Sequence, residues 1–180
     1  MKVTPTSLPG VLVLQPRVFE DERGFFLESF NKRVFEEATG WSGEFVQDNH
    51  SRSSRGVLRG LHFQMVQPQG KLVRVVRGSI YDVVVDVRRS SPHFGRWAGV
   101  TLTDREHTQL WVPAGFAHGF QVTSDVAELQ YKTTDYYAPA GERCLAWDDP
   151  QLAIDWPVAD PILSAKDRAG KRLHELDAYA

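Results

Sequence analysis

A chain of 180 residues with 42% hydrophobic content is long enough for one domain with a sizeable closed core and short of two ordinary ones, so residues 1–180 read as a single domain. The formal net charge of -2, with both signs scattered along the chain, lacks the basic stripe that replaces counterions on nucleic acid, and no stretch approaches the roughly 18 apolar residues of a membrane span. The only cysteine, Cys144, has no intrachain partner and the segment MKVTPTSLPG carries no apolar signal core, so a reducing cytoplasm, with neither nucleic acid nor membrane as partner, is the expected setting.

In chain order, the first clear element is a short helix over Asn31 to Ala38, with Asn31 as cap, Val34 and Phe35 as its apolar pair and Gly40 as stop. Runs rich in Val, Ile, Phe, Tyr and Thr follow, punctuated at Pro68-Gln69-Gly70, Pro113-Ala114-Gly115 and Pro139-Ala140-Gly141, the pattern of an antiparallel sandwich or barrel. In Lys71 to Arg77, period two places Lys71, Val73 and Val75 on one face and Leu72, Arg74 and Val76 on the other, and either face suits an interior. In Ala127 to Thr133 the split is cleaner: Ala127, Leu129 and Tyr131 share the apolar face, so Tyr131 points inward and Lys132 outward. A buried phenol without a partner costs about 1 to 3 kcal/mol, so an interior Tyr131 calls for a partner or a function. The stretch before Ser164 is rich in Pro and Asp and reads as irregular, whereas the tail from Ser164 onward has helical composition.

Chemistry concentrates in two places. Arg55 to Gln64 sets Arg59 and His62 in an apolar strand interrupted by Gly56 and Gly60. Period two sends Arg59 and His62 to opposite faces, and only a bulge at Gly60 aims both at one cavity. His118 follows Val112-Pro113-Ala114-Gly115-Phe116-Ala117, and this Pro-x-Gly-x-x-His pattern is similar to the second half-motif of the cupin superfamily. Cupins usually hold a metal through His-x-His, a Glu and this last His. Aligned on Gly78, the Glu position holds Lys71, and the His-x-His positions fall on Met65 and Gln67 or on Gln64 and Val66. Three of four ligands are absent and a cation replaces the anion, so a metal site of that type is rejected. The interior set His62, Lys71, His118 and Tyr131 instead suits proton removal beside a ketone. That chemistry needs a base, a cationic or hydrogen-bonding group at the enolate oxygen, and an acid on the far face.

Read with their neighbours, these residues resemble the dTDP-4-dehydrorhamnose 3,5-epimerase family along nearly the whole chain. The matching stretches are Asp21 to Phe26, Gln47 to Ser51, Gly56 to Gln64, Asp82 to Arg88, Leu110 to Phe120, Tyr131 to Tyr137, Trp147 to Pro150, Ile154 to Pro157 and Ser164 to Asp167. The resemblance implies a mainly β, cupin-type jelly-roll β-barrel with a short N-terminal helix and a C-terminal helical tail. It implies that no metal or other cofactor takes part, and that a nucleotide-sugar, dTDP-4-keto-6-deoxyglucose, is inverted at carbons 3 and 5 for rhamnose biosynthesis. His62 is then the base, Asp167 its carboxylate partner, Lys71 the enolate stabiliser and Tyr131 the proton donor. Substrate contacts fall to Arg23, Glu28, Gln47, Asn49, Arg59, His118, Glu142 and Lys166, with Tyr137 stacking on the thymine. It further implies a homodimer in which the segment from Arg23 to Glu28 completes the partner's site. Phe63, Ser79 and Cys144 depart from the common pattern, where many relatives have tyrosine, glutamate and glycine, without removing a proposed catalytic group. Three other readings compete: an epimerase of a single carbon, 3 or 5, in another deoxysugar pathway, a metal-dependent cupin oxygenase, and a non-catalytic sugar-binding cupin.

Overall fold

The computed structural model describes residues 1–180, and most of its regular structure is antiparallel strand. In chain order these are β1 (Lys2–Pro5), β2 (Leu12–Gln15), β3 (Val18–Asp21), β4 (Gly24–Leu27), β5 (Gln47–Ser54), β6 (Leu58–Gln64), β7 (Lys71–Arg77), β8 (Ser79–Asp86), β9 (Trp97–Thr103), β10 (Gln109–Val112), β11 (Phe116–Val122), β12 (Val126–Thr133) and β13 (Glu142–Cys144). Helix α1 (Lys32–Thr39) lies between β4 and β5, and a single turn, α2 (Ala165–Arg168), comes late in the chain. No helix is long and apolar enough to cross a membrane.

One sheet has the order β1-β2-β10-β7-β12-β5, the other β13-β6-β11-β8-β9, and β3-β4 form a separate hairpin. From β5 to β12 the chain repeatedly changes sheets, and the resulting order is that of a jelly roll, as expected for a cupin-type barrel. The space between the sheets is filled by Val73, Val75, Ile80, Val84, Leu110, Phe120 and Leu129 among others. This settles the orientation of β7: Lys71, Val73 and Val75 face inward, and Leu72 packs outside with Leu14, Phe35 and Trp111. Helix α1 covers that outer patch through Phe35. Asn31 Oδ1 accepts from Val34 N at its start, and Gly40, at φ 72, closes its end in the left-handed region that favours glycine.

The second sheet is covered on both faces, which is why Val83, Val84 and Val85 run together without alternation. Its outer face meets Leu145, Leu152, Leu173 and Leu176 from the C-terminal region. The tail of helical composition accordingly resolves into α2 and a 3-10 turn at Leu173–Glu175. Between them Lys171 is drawn into a bridge beside Leu145: its N–H donates to Cys144 O at 2.9 Å and its carbonyl accepts from Ala146 N at 2.8 Å. These long-range bonds, with the packing of leucine anchors, override local helix preference.

Candidate active site

The inward faces of β6, β7, β11 and β12 bound a cavity of ≈ 670 Å³. It is lined by His62, Lys71, His118 and Tyr131 together, and by Gln47, Asn49, Arg59, Tyr137, Glu142, Lys166 and Asp167. The meeting of Arg59 with His62 depends on the anticipated bulge. In the β6–β11 pairing His118 stands opposite His62 but Phe120 stands opposite Arg59, so β6 carries one extra residue at Gly60–Leu61. Gly60 has φ +126, and a Cβ there would sit 2.6 Å from Gly119 Cα and 2.9 Å from His118 O. Only glycine permits both that backbone conformation and that approach.

Asp167 enters from α2. Its carboxylate lies 2.7 Å from His62 Nε2, although the ring N–H is not aligned for a well-formed hydrogen bond. It also accepts from Gly60 N at 3.2 Å and from Ser164 Oγ at 2.6 Å. Burial alone would raise its pKa, but the imidazole and these donors prevail and hold it at about 2. Asp167 is therefore a carboxylate at any ordinary pH. Lys71 Nζ donates to the His62 carbonyl at 3.3 Å. Loss of water around its ammonium lowers its pKa to about 8, against the opposing influence of Asp82 and Glu142. Tyr131 is pushed upward, mainly by burial, with Arg59 and Lys166 pulling the other way, so its phenol keeps its proton.

At the rim, Lys166 Nζ donates to Glu142 Oε1 at 2.7 Å and the Tyr137 hydroxyl donates to Glu142 Oε2 at 3.0 Å. Gln47 donates to Asn49 Oδ1 at 3.0 Å and accepts from Tyr137 N at 3.1 Å. Tyr137 as a residue is 53% exposed despite these bonds. Arg59 Nε donates to Ser53 Oγ at 3.0 Å.

Arg23 and Glu28 lie apart from this cavity. Arg23 pairs with Asp21 at the tip of the β3-β4 hairpin, and Glu28 accepts from Asn31 Nδ2 at 3.1 Å. Two nearby residues escaped sequence reasoning. Asp82 is fully buried and its carboxylate oxygens lie 2.8 and 3.0 Å from His118 Nε2. A carboxylate sharing a strand face with Ile80 and Val84 was its available signal. Cys144 stands opposite His62 in the β13–β6 register, and burial pushes its thiol up to about 11, so it remains protonated and a weak nucleophile.

The sequence profile described as dTDP-4-dehydrorhamnose 3,5-epimerase matches residues 5–175. The dTDP-4-dehydrorhamnose 3,5-epimerase of Pseudomonas aeruginosa is 58% identical over 180 residues, covering 99% of each chain. A crystal structure of the Legionella pneumophila dTDP-6-deoxy-D-glucose-3,5-epimerase in complex with dTDP-4-keto-L-rhamnose superposes with a TM-score of 0.95 at 50% identity, covering 98% of this chain and 94% of that one. A 3'-monoepimerase from Streptomyces bikiniensis, in complex with dTDP-quinovose, superposes with a TM-score of 0.89 at 38% identity, covering 94% and 87%. With its jelly-roll barrel and with His62, Lys71, Tyr131 and Asp167 around one cavity, the chain belongs to the dTDP-4-dehydrorhamnose 3,5-epimerase family of isomerases.

Proposed function

We propose that the chain, acting as one domain, inverts carbons 3 and 5 of dTDP-4-dehydro-6-deoxy-D-glucose to give dTDP-4-dehydro-L-rhamnose. The observation that carries this reading is the 2.7 Å contact of His62 with Asp167 in the cavity that also holds Lys71 and Tyr131. His62 takes the proton from the carbon beside the ketone, and the ionised Asp167 stabilises the imidazolium that forms. The electrons move onto the ketone oxygen, where Lys71, with His118 held by Asp82, hydrogen-bonds the enolate. Tyr131 returns a proton to the opposite face, which inverts the centre. Once the imidazolium has given its proton to solvent and the Tyr131 phenolate has regained one, the same groups serve a second cycle at the other carbon. Arg59 and Lys166 supply charge-assisted bonds suited to a diphosphate, and Tyr137 supplies a stacking face for thymine.

Homodimer formation is part of the proposal. Phe19 and Phe26, cross-strand partners on one face of the β3-β4 hairpin, are 49% and 69% exposed, an apolar surface that a second copy would cover while bringing Arg23 and Glu28 to the neighbouring cavity. The Pseudomonas aeruginosa and Legionella pneumophila 3,5-epimerases, at 58% and 50% identity, stand nearer to this chain than the 3'-monoepimerase at 38%, which supports two inverted carbons over one. The test of the catalytic centre is His62→Ala. Turnover should drop by about 10² to 10⁴ with the circular dichroism spectrum unchanged, and inversion at the wild-type rate would overturn the assignment.

A further inference from the structure

The thiol of Cys144 has no part in the chemistry above, yet it stands beside the base. Cys144 and His62 are direct partners in the antiparallel β13–β6 register, and residues so paired project from the same face of the sheet with Cβ atoms about 5 Å apart. Asp167 reaches the same point from α2. One ligand atom each from His62, Cys144 and Asp167 lie within 4.8 Å of one another. His62 Nε2 is moreover sealed from solvent, and its 2.7 Å contact is with the Asp167 carboxylate of this same set.

From these donors we infer an inhibitory site for a thiophilic divalent cation of the Zn²⁺ type, formed by His62, Cys144 and Asp167. A tetrahedral zinc with bonds of about 2.3 Å to sulfur and about 2.0 to 2.2 Å to nitrogen and oxygen keeps its ligand atoms roughly 3.3 to 3.7 Å apart. The Asp167 oxygen at 2.7 Å must therefore move away from His62 Nε2 by under an ångström, and a pair at the 4.8 Å limit must close by roughly an ångström, both within reach of side-chain rotation. The fourth position is left to water. Binding releases the Cys144 thiol proton to solvent, and the resulting thiolate and the Asp167 carboxylate neutralise the dication, an advantage missing among the cupin ligand positions, where Lys71 stands in place of the acidic ligand. A bound metal separates the imidazole from its carboxylate and withdraws electron density from the ring, so the base no longer accepts a proton.

The loss of turnover rests on the proposed role of His62 as base, whereas metal binding does not, and the two are measured separately. Cys144 is the only cysteine in the chain, so a thiolate-to-cobalt charge-transfer band reports that residue alone. The untagged full-length protein titrated with Co²⁺ should develop this near-ultraviolet band at one equivalent, and Cys144→Ala and Cys144→Ser should not. Zn²⁺ affinity by calorimetry should fall on the order of 100-fold or more in either variant. Zn²⁺ should stop wild-type turnover, reversibly with a chelator, and leave Cys144→Ala active. Absence of the band in the wild type, or equal Zn²⁺ affinity and inhibition in the variants, would overturn the site. A protein that gains the band but never turned over before metal addition would instead refute the epimerase reading and leave the metal site standing.

Discussion

Replacing Asp167 by asparagine tests the dyad with little change of volume. The carboxylate is held at about 2 from an ordinary 3.8, a preference for the charged form amounting to about 2 to 3 kcal/mol even after burial has worked against it. Contact with His62 is the largest of the stabilising influences and Ser164 and Gly60 supply the others, so removing the negative charge withdraws only the His62 share, on the order of 1 to 2 kcal/mol, from the imidazolium formed as the substrate proton leaves. At 1.4 kcal/mol per tenfold, kcat should fall by roughly 5- to 30-fold while KM changes little, since Asp167 faces the imidazole rather than the sugar. Single-turnover deuterium wash-in at carbons 3 and 5, followed by NMR, measures that step. The same carboxylate leaves a stability signature. Its folded pKa lies below its unfolded one, so its contribution is complete above about pH 4 and is lost as pH falls toward 2. Urea midpoints of the wild type should therefore drop over that range more steeply than those of Asp167→Asn. Wild-type kcat in Asp167→Asn, with its acid limb unchanged, would refute the dyad.

The other groups give equally specific expectations. Tyr131→Phe should still exchange substrate protons with solvent but fail to invert, which product analysis after reduction distinguishes; full inversion would reassign the acid. Lys71 holds the enolate only as an ammonium and titrates at about 8, so kcat/KM should decline as pH rises past about 8, and Glu142→Gln, which removes a favourable charge, should move that decline to lower pH. Tyr131, raised by burial, keeps its proton through that range and does not contribute to the limb. Gly60→Ala forces a Cβ to 2.6 Å from Gly119 Cα at a φ of +126, and should cost about 2 kcal/mol or more by chemical denaturation while spoiling the joint aim of Arg59 and His62.

What was legible in the sequence was local. Alternation along β12 placed Tyr131 inside and Lys132 outside, where it pairs with Asp48 at 2.9 Å, and the glycine within an apolar strand marked the bulge that joins Arg59 to His62. Asn31 and Gly40 bracketed α1 within a residue of its ends. The rest depended on contacts distant in sequence. The inward face of β7 is decided by what covers Leu72 from α1 and Trp111, and no pattern within Lys71–Arg77 reveals that. Lys171 bonds to the strand end at Cys144 and Ala146, which breaks a tail whose composition favours helix. Cys144 approaches His62 because of the β13–β6 register, which is set by pairing across the sheet rather than by neighbouring residues. The dyad itself joins positions more than a hundred residues apart, and resemblance to the family linked them where spacing did not.

The central claim is that one base, one acid and one lysine invert two carbons in turn. Proton NMR of the wild-type enzyme with dTDP-4-keto-6-deoxyglucose in deuterated water, reading carbons 3 and 5 separately and trapping the product with a reductase, tests it most directly. Deuterium at both carbons of a rhamno-configured product is the expected result. Deuterium at one carbon alone, or at neither, would contradict it.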